Sequence, residues 1–326
     1  TNRPTAMLNF PQNEGYFLFG RKYLSSSECA IFRTTDGGIN WTQELSTSHK
    51  TTIFDLNVNP NTGWPGYCVA AGSPTGAQSD RGVYESPNFG DTWYAKNTDT
   101  GASKGFTACA IIKWGANVDS SWVYAGTADG KLYRERYNNT LTQLGSFTGL
   151  TADTIRAIRI NKSRYTTVYV LTDRSIYRTT NNGVGWSIVS SGMVDSRGLS
   201  MDFHPGDTTQ LVVGSRGHIY RSTNTTSSWS IVASTATRTL PIGSISKAGS
   251  KLFGASDVLT MEMHYDGSSW DTSRLGASDS VFVAKHSLSI SGASGLRYAY
   301  HSGVSDNTSR VHRTSDGSTF EDQPAF

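Results

Sequence analysis

Thr34-Thr35-Asp36-Gly37-Gly38-Ile39-Asn40-Trp41 is the stretch that decides the fold, because variants of it recur along the whole chain. Each variant opens with Ser or Thr, carries Asp or Asn two residues later and ends in an aromatic residue. The further copies span residues 86–93, 179–186, 222–229 and 314–320, of which the last is one residue shorter and ends in Phe. A repeat of this kind sets the architecture before any other feature is considered.

The spacing of the copies gives the repeat length. The two longest gaps between copies are each divided by a weaker copy, one at residues 138–141 and one that ends at Trp270. The anchor positions are then residues 41, 93, 141, 186, 229, 270 and 320, which are 41 to 52 residues apart. Seven units of this size fill the 326 residues of the chain.

Each unit has the pattern of four short strands. In the fourth unit, apolar runs at 155–160, 168–171, 175–178 and 186–189 are separated by Gly, Asn, Asp and Ser, which is the pattern of strands and tight turns. Four-stranded units of about 40–50 residues are typical of β-propellers. The sequence therefore predicts an all-β fold, a single seven-bladed β-propeller of four-stranded antiparallel blades. The alternative is a β-sandwich with Ser/Thr-rich turns, which the even spacing of seven anchors disfavours.

The predicted propeller occupies residues 1–326 as one domain. Its blades are predicted at residues 5–46, 51–97, 105–147, 154–190, 197–234, 239–275 and 280–323. The first unit begins with its inner strand and the last unit ends with its outer strand. We therefore expect the ring to close by side-chain packing, without marked strand exchange.

The chemistry of the repeated turn is structural. The Asp or Asn side chain can accept hydrogen bonds from backbone amides two residues further on, and the leading hydroxyl can do the same. Gly38, Gly90 and Gly183 supply a positive φ. The closing aromatic residue buries about 150–250 Å². The residues with this predicted structural role are Asp36, Trp41, Asn88, Trp93, Asn181, Trp186, Asn224, Trp229, Trp270, Asp316 and Phe320.

The repeated turn resembles the Asp box, the bacterial neuraminidase repeat with the pattern Ser-x-Asp-x-Gly-x-x-Trp. The resemblance covers five units clearly and two in weaker form. Proteins with this repeat include sialidases, xyloglucan-active endoglucanases and photosystem II assembly factors, and the single ring predicted here is nearer in plan to the assembly factors. Sialidases use three Arg, a Tyr nucleophile and an Arg-Ile-Pro segment, of which Arg3-Pro4 lacks the middle residue. The resemblance thus implies the fold and no catalytic residue.

Candidate binding residues come from two patterns. Several units place a cation at or just before the inner strand, and in a propeller these positions share one face and would form a positive funnel for anions. These cations are Arg3, Lys50, Lys104, Arg156, Arg197 and Arg238. The alternative is a set of ordinary solvated charges. Trp64 and Trp114 occupy turns between first and second strands, where each could stack on a sugar or cap a blade edge.

The alternative function is a glycoside hydrolase of sialidase-like plan that acts on an acidic polysaccharide. It would require carboxylates near the inner strands. Such an enzyme needs two carboxylates about 5–10 Å apart. The candidates are Asp55, Asp153, Asp195, Asp202 and Asp279. Residues at these positions also begin strands and satisfy turn amides, so the sequence favours a structural role and no catalysis.

The composition of the chain indicates which classes of partner to expect. Charged residues make up 17% of the chain, the net charge is +3, and no dense basic stripe is present, so we expect no nucleic-acid partner. No apolar run is long enough to span a membrane, so we expect no membrane insertion. Cys68 and Cys109 are predicted core residues, and whether a disulfide forms among these two and Cys29 stays open. No pattern predicts a metal or a cofactor.

The sequence therefore favours a non-enzymatic recognition or scaffolding propeller. Its low charge and its many Ser, Thr, Asn and Gly residues suit a protein outside a cell or on the surface of a particle such as a phage virion. The expected partner is a protein in an assembly, a carbohydrate, or both, bound through one face of the ring.

Overall fold

The computed structural model describes most of the first two thirds of the chain and the strands of the last third. The described residues are 4–10, 13, 15–21, 29–47, 51–59, 63–74, 82–98, 105–113, 121–135, 140–145, 147, 153–193, 198, 200–204, 207–215, 218–222, 228–234, 242–248, 251–256, 261–265, 270–274, 282–289, 297–303, 309–314 and 321–322. Within these ranges the chain forms β-strands, turns and bends, and no helix.

Within the described ranges the strands form seven sheets in chain order. Sheet one contains β1 (Pro4–Asn9), β2 (Phe17–Arg21), β3 (Cys29–Thr34) and β4 (Thr42–Thr47). Sheet two contains β5 (Thr51–Val58), β6 (Cys68–Pro74), β7 (Val83–Ser86) and β8 (Tyr94–Ala95). Sheet three contains β10 (Phe106–Lys113), β11 (Ser121–Thr127), β12 (Leu132–Glu135), β13 (Thr140–Gln143) and, at its edge, β9 (Asn97–Thr98).

The remaining four sheets each have four strands. Sheet four contains β14 (Ile155–Ile160), β15 (Val168–Thr172), β16 (Ile176–Thr179) and β17 (Ser187–Ile188). Sheet five contains β18 (Ser200–His204), β19 (Asp207–Gly214), β20 (His218–Ser222) and β21 (Trp229–Ser234). Sheet six contains β22 (Ile242–Ala248), β23 (Lys251–Ser256), β24 (Met261–Tyr265) and β25 (Trp270–Arg274). Sheet seven contains β26 (Phe282–Ser289), β27 (Arg297–Gly303), β28 (Ser309–Thr314) and β29 (Glu321–Asp322).

The predicted all-β architecture of four-stranded units is confirmed, with one addition. Consecutive strands pair antiparallel in every sheet. The addition is β9, which follows the outer strand of sheet two and pairs in parallel with β13, the outer strand of sheet three. The sequence pattern did not predict this fifth strand, because a two-residue strand has no periodicity to recognise.

The chain divides into two compact units. The first unit comprises Thr5–Thr172 and Arg178–Ser187, and the second comprises Thr1–Pro4, Asp173–Tyr177 and Ile188–Phe326. Every residue of the candidate site described below belongs to the first unit. That residues 1–326 form one domain stays a prediction.

The core of the first unit lies between neighbouring sheets. Residues of sheets one and two form one buried cluster, which includes Leu18, Ile31, Ile53 and Tyr84. Residues of sheets two and three form another, which includes Val69, Val83, Phe106, Cys109, Val123 and Tyr133. Burial of these apolar faces is the main stabilising contribution, at about 25 cal/mol per Å². Each sheet therefore needs its neighbours to cover its two faces.

The turn after β3 shows how the repeated sequence folds. The hydroxyl of Thr34, 1% exposed, accepts hydrogen bonds from the amides of Asp36 (3.3 Å) and Gly38 (2.9 Å). Asp36 Oδ1 accepts from the amides of Ile39 and Asn40, both at 3.0 Å. Gly38 has a φ of 92°, as predicted for this position. The turn is thus closed by its own side chains.

The turns after β7 and β16 repeat this geometry. Ser86 Oγ accepts from the amide of Gly90, and Thr179 Oγ1 accepts from the amide of Gly183, both at 2.9 Å. Asn88 Oδ1 accepts from the amide of Thr92 at 3.0 Å. We call the three turns at 34–41, 86–93 and 179–186 the recurrent turns.

The predicted acceptor role of the Asp or Asn side chain is therefore correct, but the predicted donors are wrong by one or two positions. The amides that donate to Asp36 Oδ1 are three and four residues further on, whereas the hydroxyl of Thr34 accepts from the amides two and four residues further on. In the first two recurrent turns the closing Trp also holds the loop. Trp41 Nε1 donates to the carbonyl of Gly38 (3.0 Å), and Trp93 Nε1 donates to that of Gly90 (2.9 Å).

Five of the predicted structural residues lie outside the three recurrent turns. Asn224, Asp316 and Phe320 lie outside the described residues. Trp270 begins β25, and Trp229 begins β21 and donates from Nε1 to the carbonyl of Val189 at 2.7 Å.

Candidate functional site

The strands β5, β10 and β14, which lead into the hairpins of sheets two, three and four, lie side by side in the first unit. β10 packs against β5 on one side and β14 on the other. The amide of Cys109 on β10 donates to Asp55 Oδ2 on β5 at 2.9 Å. The hydroxyl of Thr107 on β10 donates to the carbonyl of Ile155 on β14 at 2.7 Å. These side-chain hydrogen bonds fix the three strands relative to each other.

Each of these strands has a β-bulge near its start. The register shifts between Ile53 and Asp55 on β5, between Phe106 and Ala108 on β10, and between Ile155 and Ala157 on β14. The residues inserted by the three bulges are Phe54, Thr107 and Arg156, and we call them the bulge row. A bulged residue leaves the alternation of its strand and can be redirected away from the packed face.

The two ends of the bulge row reach solvent. Phe54 is 42% exposed, which is unusual for a large apolar side chain on an inner strand, and Arg156 is also exposed. Thr107 between them is partly buried. The row therefore presents an aromatic ring on β5 and a guanidinium on β14, the two strands that pack against either side of β10.

Asp55 adjoins the row and is only partly accessible to solvent. Burial raises its pKa to about 6, against the lowering effects of the nearby Arg159 charge and of hydrogen bonds from the amides of Cys109 and Leu56. A pKa near 6 lies in the range expected of a catalytic acid or base. Buried carboxyl groups and internal ion pairs without a catalytic role show the same shift.

The neighbouring thiols are structural. Cys68 and Cys109 are fully buried and free, which confirms the predicted core positions and excludes a disulfide between them. Burial raises the pKa of both thiols above the usual value, so neither is an activated nucleophile. The side chain of Cys29 lies outside the described residues.

Of the six predicted cations, Arg156 is the one that the described ranges contain. It occupies the bulge of β14 and is exposed, at the start of an inner strand. Arg3, Lys50, Lys104, Arg197 and Arg238 lie outside the described residues, so the positive funnel stays a prediction.

Trp64 has the contacts of a cap on the opposite end of the β5–β6 hairpin. It is half-buried and makes an edge contact with Tyr67, with ring centroids 6.1 Å apart. The buried Lys113 places Nζ 5.4 Å from the ring centroid of Trp64 and 4.6 Å from that of Tyr67, a cation–π arrangement. Asn59 Nδ2 donates to the Trp64 carbonyl at 3.1 Å. Ligand binding by Trp64 stays a prediction, and Trp114 lies outside the described residues.

The other predicted carboxylates are held in local structure or are outside the described residues. Asp153 is 6% exposed just before β14, and Asp202 Oδ1 accepts from the amide of Phe203 at 2.7 Å. Asp195 and Asp279 lie outside the described residues. Across those residues, no three His, Cys, Asp or Glu side chains are grouped to hold a metal ion. The part of the chain that the structure describes also contains no helix long and apolar enough to cross a membrane.

Sequence reasoning missed Phe54. The signal was present, because Ile53 and Phe54 are adjacent apolar residues in a strand whose other residues alternate. Two adjacent apolar residues at the start of a strand are compatible with a bulge, but they are equally compatible with a strand buried on both faces.

Comparison with known proteins supports the architecture. No protein-family model matches the sequence, and no curated protein matches it. Solved structures do match. The WD40 β-propeller domain of Doa1 is 10% identical with a TM-score of 0.63, and the alignment covers 97% of this chain and 93% of that one. Sqt1 from Chaetomium thermophilum, solved bound to the N-terminus of ribosomal protein L10, is 13% identical with a TM-score of 0.60 and coverages of 96% and 85%.

Two longer proteins match over part of their length. The extracellular domain of BT4673, assigned to a hybrid two-component system of B. thetaiotaomicron, is 13% identical with a TM-score of 0.62, and the alignment covers 91% of this chain but 37% of that one. An ancestral GH74 enzyme is 11% identical with a TM-score of 0.65 and coverages of 98% and 46%. The chain thus spans about a third to a half of the length of these two structures.

These identities are low, so the comparisons show the fold alone. Together with the repeated four-stranded sheets they establish an all-β protein of the β-propeller fold. The same fold carries a protein-binding domain in Sqt1 and a hydrolase in the GH74 enzyme, so function has to be argued from the site.

Proposed function

We propose that the chain is a non-enzymatic recognition or scaffolding β-propeller that binds a partner, a protein or a glycan, through the face that carries the bulge row. The observation that carries the proposal is the exposure of Phe54 and Arg156 at matched bulges of β5 and β14, the inner strands on either side of β10. Aromatic and Arg side chains are among the types that interface hot spots favour.

The rigidity of the surface supports the same function. Thr107 and Asp55 tie the three strands together through hydrogen bonds of 2.7 and 2.9 Å, so the two exposed side chains start from a fixed backbone. A preorganised surface loses less conformational entropy when it binds. The recurrent turns have the features of the Asp box and act in this proposal as staples for the outer hairpins, away from the binding face.

The proposed location is outside a cell or on the surface of a particle such as a phage virion. It is supported by the 17% content of charged residues and by the many Ser, Thr, Asn and Gly residues. Detection of the chain by antibody on intact particles or in the medium, with a cytosolic marker as the control, tests this location.

The experiment for the function compares three proteins on a glycan array and on a library of phage-displayed peptides. They are the wild type, the Phe54→Ala/Arg156→Glu variant, and a matched control, Tyr94→Ala/Arg164→Glu, whose exposed residues lie on β8 and in the β14–β15 turn. We expect ligands of the wild type to bind the control and to lose about 10-fold or more in affinity for the first variant. Ligands that bind all three proteins equally would contradict the proposal.

The second candidate function is a glycoside hydrolase of sialidase-like plan acting on an acidic polysaccharide. The observation that favours it is Asp55, whose pKa of about 6 suits a general acid. Hydrolysis of fluorogenic glycosides or polyuronates that is lost in Asp55→Asn would establish it in place of the binding function. Absence of hydrolysis by the wild type would leave the binding function as the stronger of the two.

A further inference from the structure

We propose that Arg134 on β12 binds a small inorganic anion such as chloride, where sheet three meets the recurrent turn of sheet four. The site lies outside the bulge row, and the inference is independent of the proposed function. It follows from a comparison of Arg134 with Arg33, which has the equivalent place in sheet one.

Two carboxylates balance the charge of Arg33. Its Nε donates to Glu44 Oε1 at 2.9 Å, and its Nη2 donates to Oδ1 of Asp91, the sixth residue of the recurrent turn in the next sheet. Glu44 lies on β4, two residues beyond Thr42, the cross-strand partner of Arg33. The charge of this half-buried Arg is therefore compensated within the protein.

Apolar residues occupy both of these places around Arg134. Two residues beyond its cross-strand partner on β13 the chain has Leu144, where β4 has Glu44. The sixth residue of the recurrent turn in sheet four is Val184, which is 72% exposed and replaces Asp91. Within the described part of the chain, no carboxylate pairs with Arg134. A half-buried guanidinium without a counter-charge favours the binding of an anion.

The contacts of Arg134 leave donors for a ligand. Its Nη1 donates to the carbonyl of Asn182, and its Cζ lies 4.4 Å from the ring centroid of Trp122. Tyr124, its cross-strand partner on β11, lies beside it. A guanidinium carries five N–H groups, and the hydrogen bond to Asn182 uses one of them. Other N–H groups of the half-buried side chain can therefore donate to an anion.

Two more donors beside Arg134 need an acceptor. Nε1 of Trp186 is shielded from solvent and has no acceptor among the described residues, whereas Nε1 of Trp41 and of Trp93 each donate to a carbonyl of their own turn. The hydroxyl of the buried Tyr124 has no acceptor within those residues either. Burial raises the pKa of Tyr124 to about 12, so its proton is retained at neutral pH. An anion accepts from such shielded N–H and O–H groups.

The surroundings of Gly183 limit the size of the anion. A Cβ added to Gly183 would lie 3.4 Å from Cζ2 of Trp186, on the indole edge that carries Nε1, and 3.8 Å from Nη1 of Arg134. It would also lie 3.1 Å from Cδ1 of Leu144. The side-chain Oδ1 of Asn182 is shielded there without a donor, and rotation of the amide by half a turn would present Nδ2 as a further donor. These short distances suit an ion of one atom.

Line broadening of the chloride NMR resonance tests the site, because exchange with a protein site broadens the signal of the free ion. We expect saturable broadening by the wild type at constant ionic strength, with gluconate as the replacing anion. Val184→Asp places a carboxylate where sheet two has Asp91, so it should weaken chloride binding about 10-fold or more. The matched control, Val184→Asn, has nearly the same shape and no charge and should change the affinity less than about 2-fold.

Two further measurements locate the ion. Tyr124→Phe removes one donor and should weaken chloride binding about 5-fold or more. Bromide-soaked crystals should show an anomalous peak in contact with the guanidinium of Arg134. Thermal unfolding confirms that each variant is folded, and the exposed Val184 pair decides the inference even where Tyr124→Phe is poorly folded. The inference is overturned by absence of broadening in the wild type, by equal broadening in Val184→Asp, or by a bromide peak away from Arg134.

Discussion

The guanidinium of Arg33 on β3 lies 2.5 Å from a carboxylate oxygen of Asp91, which belongs to the recurrent turn of the next sheet. Nε of the same Arg donates to Glu44 Oε1 on β4 at 2.9 Å. Arg134 on β12 has the equivalent place in sheet three, and its Nη1 donates to the carbonyl of Asn182 in the recurrent turn of sheet four. An Arg on a third strand therefore holds the turn of the neighbouring sheet in both cases.

Sheet two does not follow this arrangement, because its third strand has no Arg at the equivalent position. Its third strand carries Glu85 in the place of the Arg, and sheet three, which follows it, has only the weaker copy of the turn at residues 138–141. Glu85 instead pairs with Lys96, and Lys96 Nζ lies 3.1 Å from Glu135 Oε2. A buried ion triad thus replaces the contact between an Arg and a turn.

We predict that Arg33→Ala destabilises the protein more than Asp91→Asn does. Arg33 and Glu44 are each 16% exposed in their side chains, so loss of the Arg leaves a poorly solvated carboxylate, at about 1–3 kcal/mol. Asp91 is 51% exposed, and loss of its charge should cost at most about 1 kcal/mol. Urea unfolding of each variant and of the double variant measures both costs and their coupling. Equal effects of the two substitutions would contradict the larger contribution assigned to the Arg33–Glu44 pair.

Lys96→Met should be among the most damaging single substitutions in the first unit. Lys96 and Glu135 have side chains 5% and 6% exposed, and removal of the cation leaves two carboxylates without their counter-ion. The expected loss is about 3–5 kcal/mol of the free energy of unfolding. The deficit should be smaller in Lys96→Met/Glu135→Gln, which leaves one unpaired carboxylate in place of two, and urea unfolding at pH 7 measures both deficits. Equal deficits in the single and the double variant would argue that Lys96 acts through packing alone.

Asp36 should make a pH-dependent contribution to stability. Hydrogen bonds from the amide of Asn40 and the hydroxyl of Thr34 lower its pKa to about 2. Because the folded pKa lies below the unfolded value of 3.8, the contribution is present above about pH 4 and is lost as the pH falls towards 2. Asp36→Asn should remain folded, since Asn88 and Asn181 occupy the same place in the other recurrent turns, and should show a flatter pH profile in urea unfolding. A pH profile of stability equal to that of the wild type would contradict the contribution assigned to the Asp36 carboxylate.

The sequence predicted the parts of the structure that depend on local pattern. The recurrent turns close through residues two to four apart, and the side-chain types at those places are visible in the sequence. Arg156 was predicted because it is a cation at the start of an inner-strand apolar run. The Lys96–Glu135 pair joins residues 39 apart, and the exposure of Phe54 depends on a one-residue bulge. Neither leaves a periodic signal, because each is decided by how two sheets pack.

Gly126→Ala should destabilise the protein by about 1–3 kcal/mol, the usual cost of overpacking. A Cβ at position 126 would lie 2.4 Å from Cγ2 of Ile155, the residue before the bulge that carries Arg156. The matched control is Gly145→Ala, where no atom lies within 4 Å of the added Cβ. Thermal unfolding of both variants measures the difference. Equal melting temperatures for the two single variants would contradict this packing.

Asp55 should lower stability as the pH rises, in the opposite direction to Asp36. Burial raises its pKa to about 6, so the folded state holds the proton more tightly than the unfolded state, whose value is near 3.8. Its contribution to stability is therefore greatest below about pH 4 and is lost as the pH rises to about 6. For a partly accessible carboxyl the loss is on the order of 1–2 kcal/mol. Asp55→Asn keeps an oxygen for the Cys109 amide and cannot ionise, so the difference in urea midpoint between Asp55→Asn and the wild type should grow in favour of the variant between pH 4 and 6.5. A difference that is constant over this range would show that Asp55 titrates at its usual pKa, and Asp55 would then lose its value as a general acid.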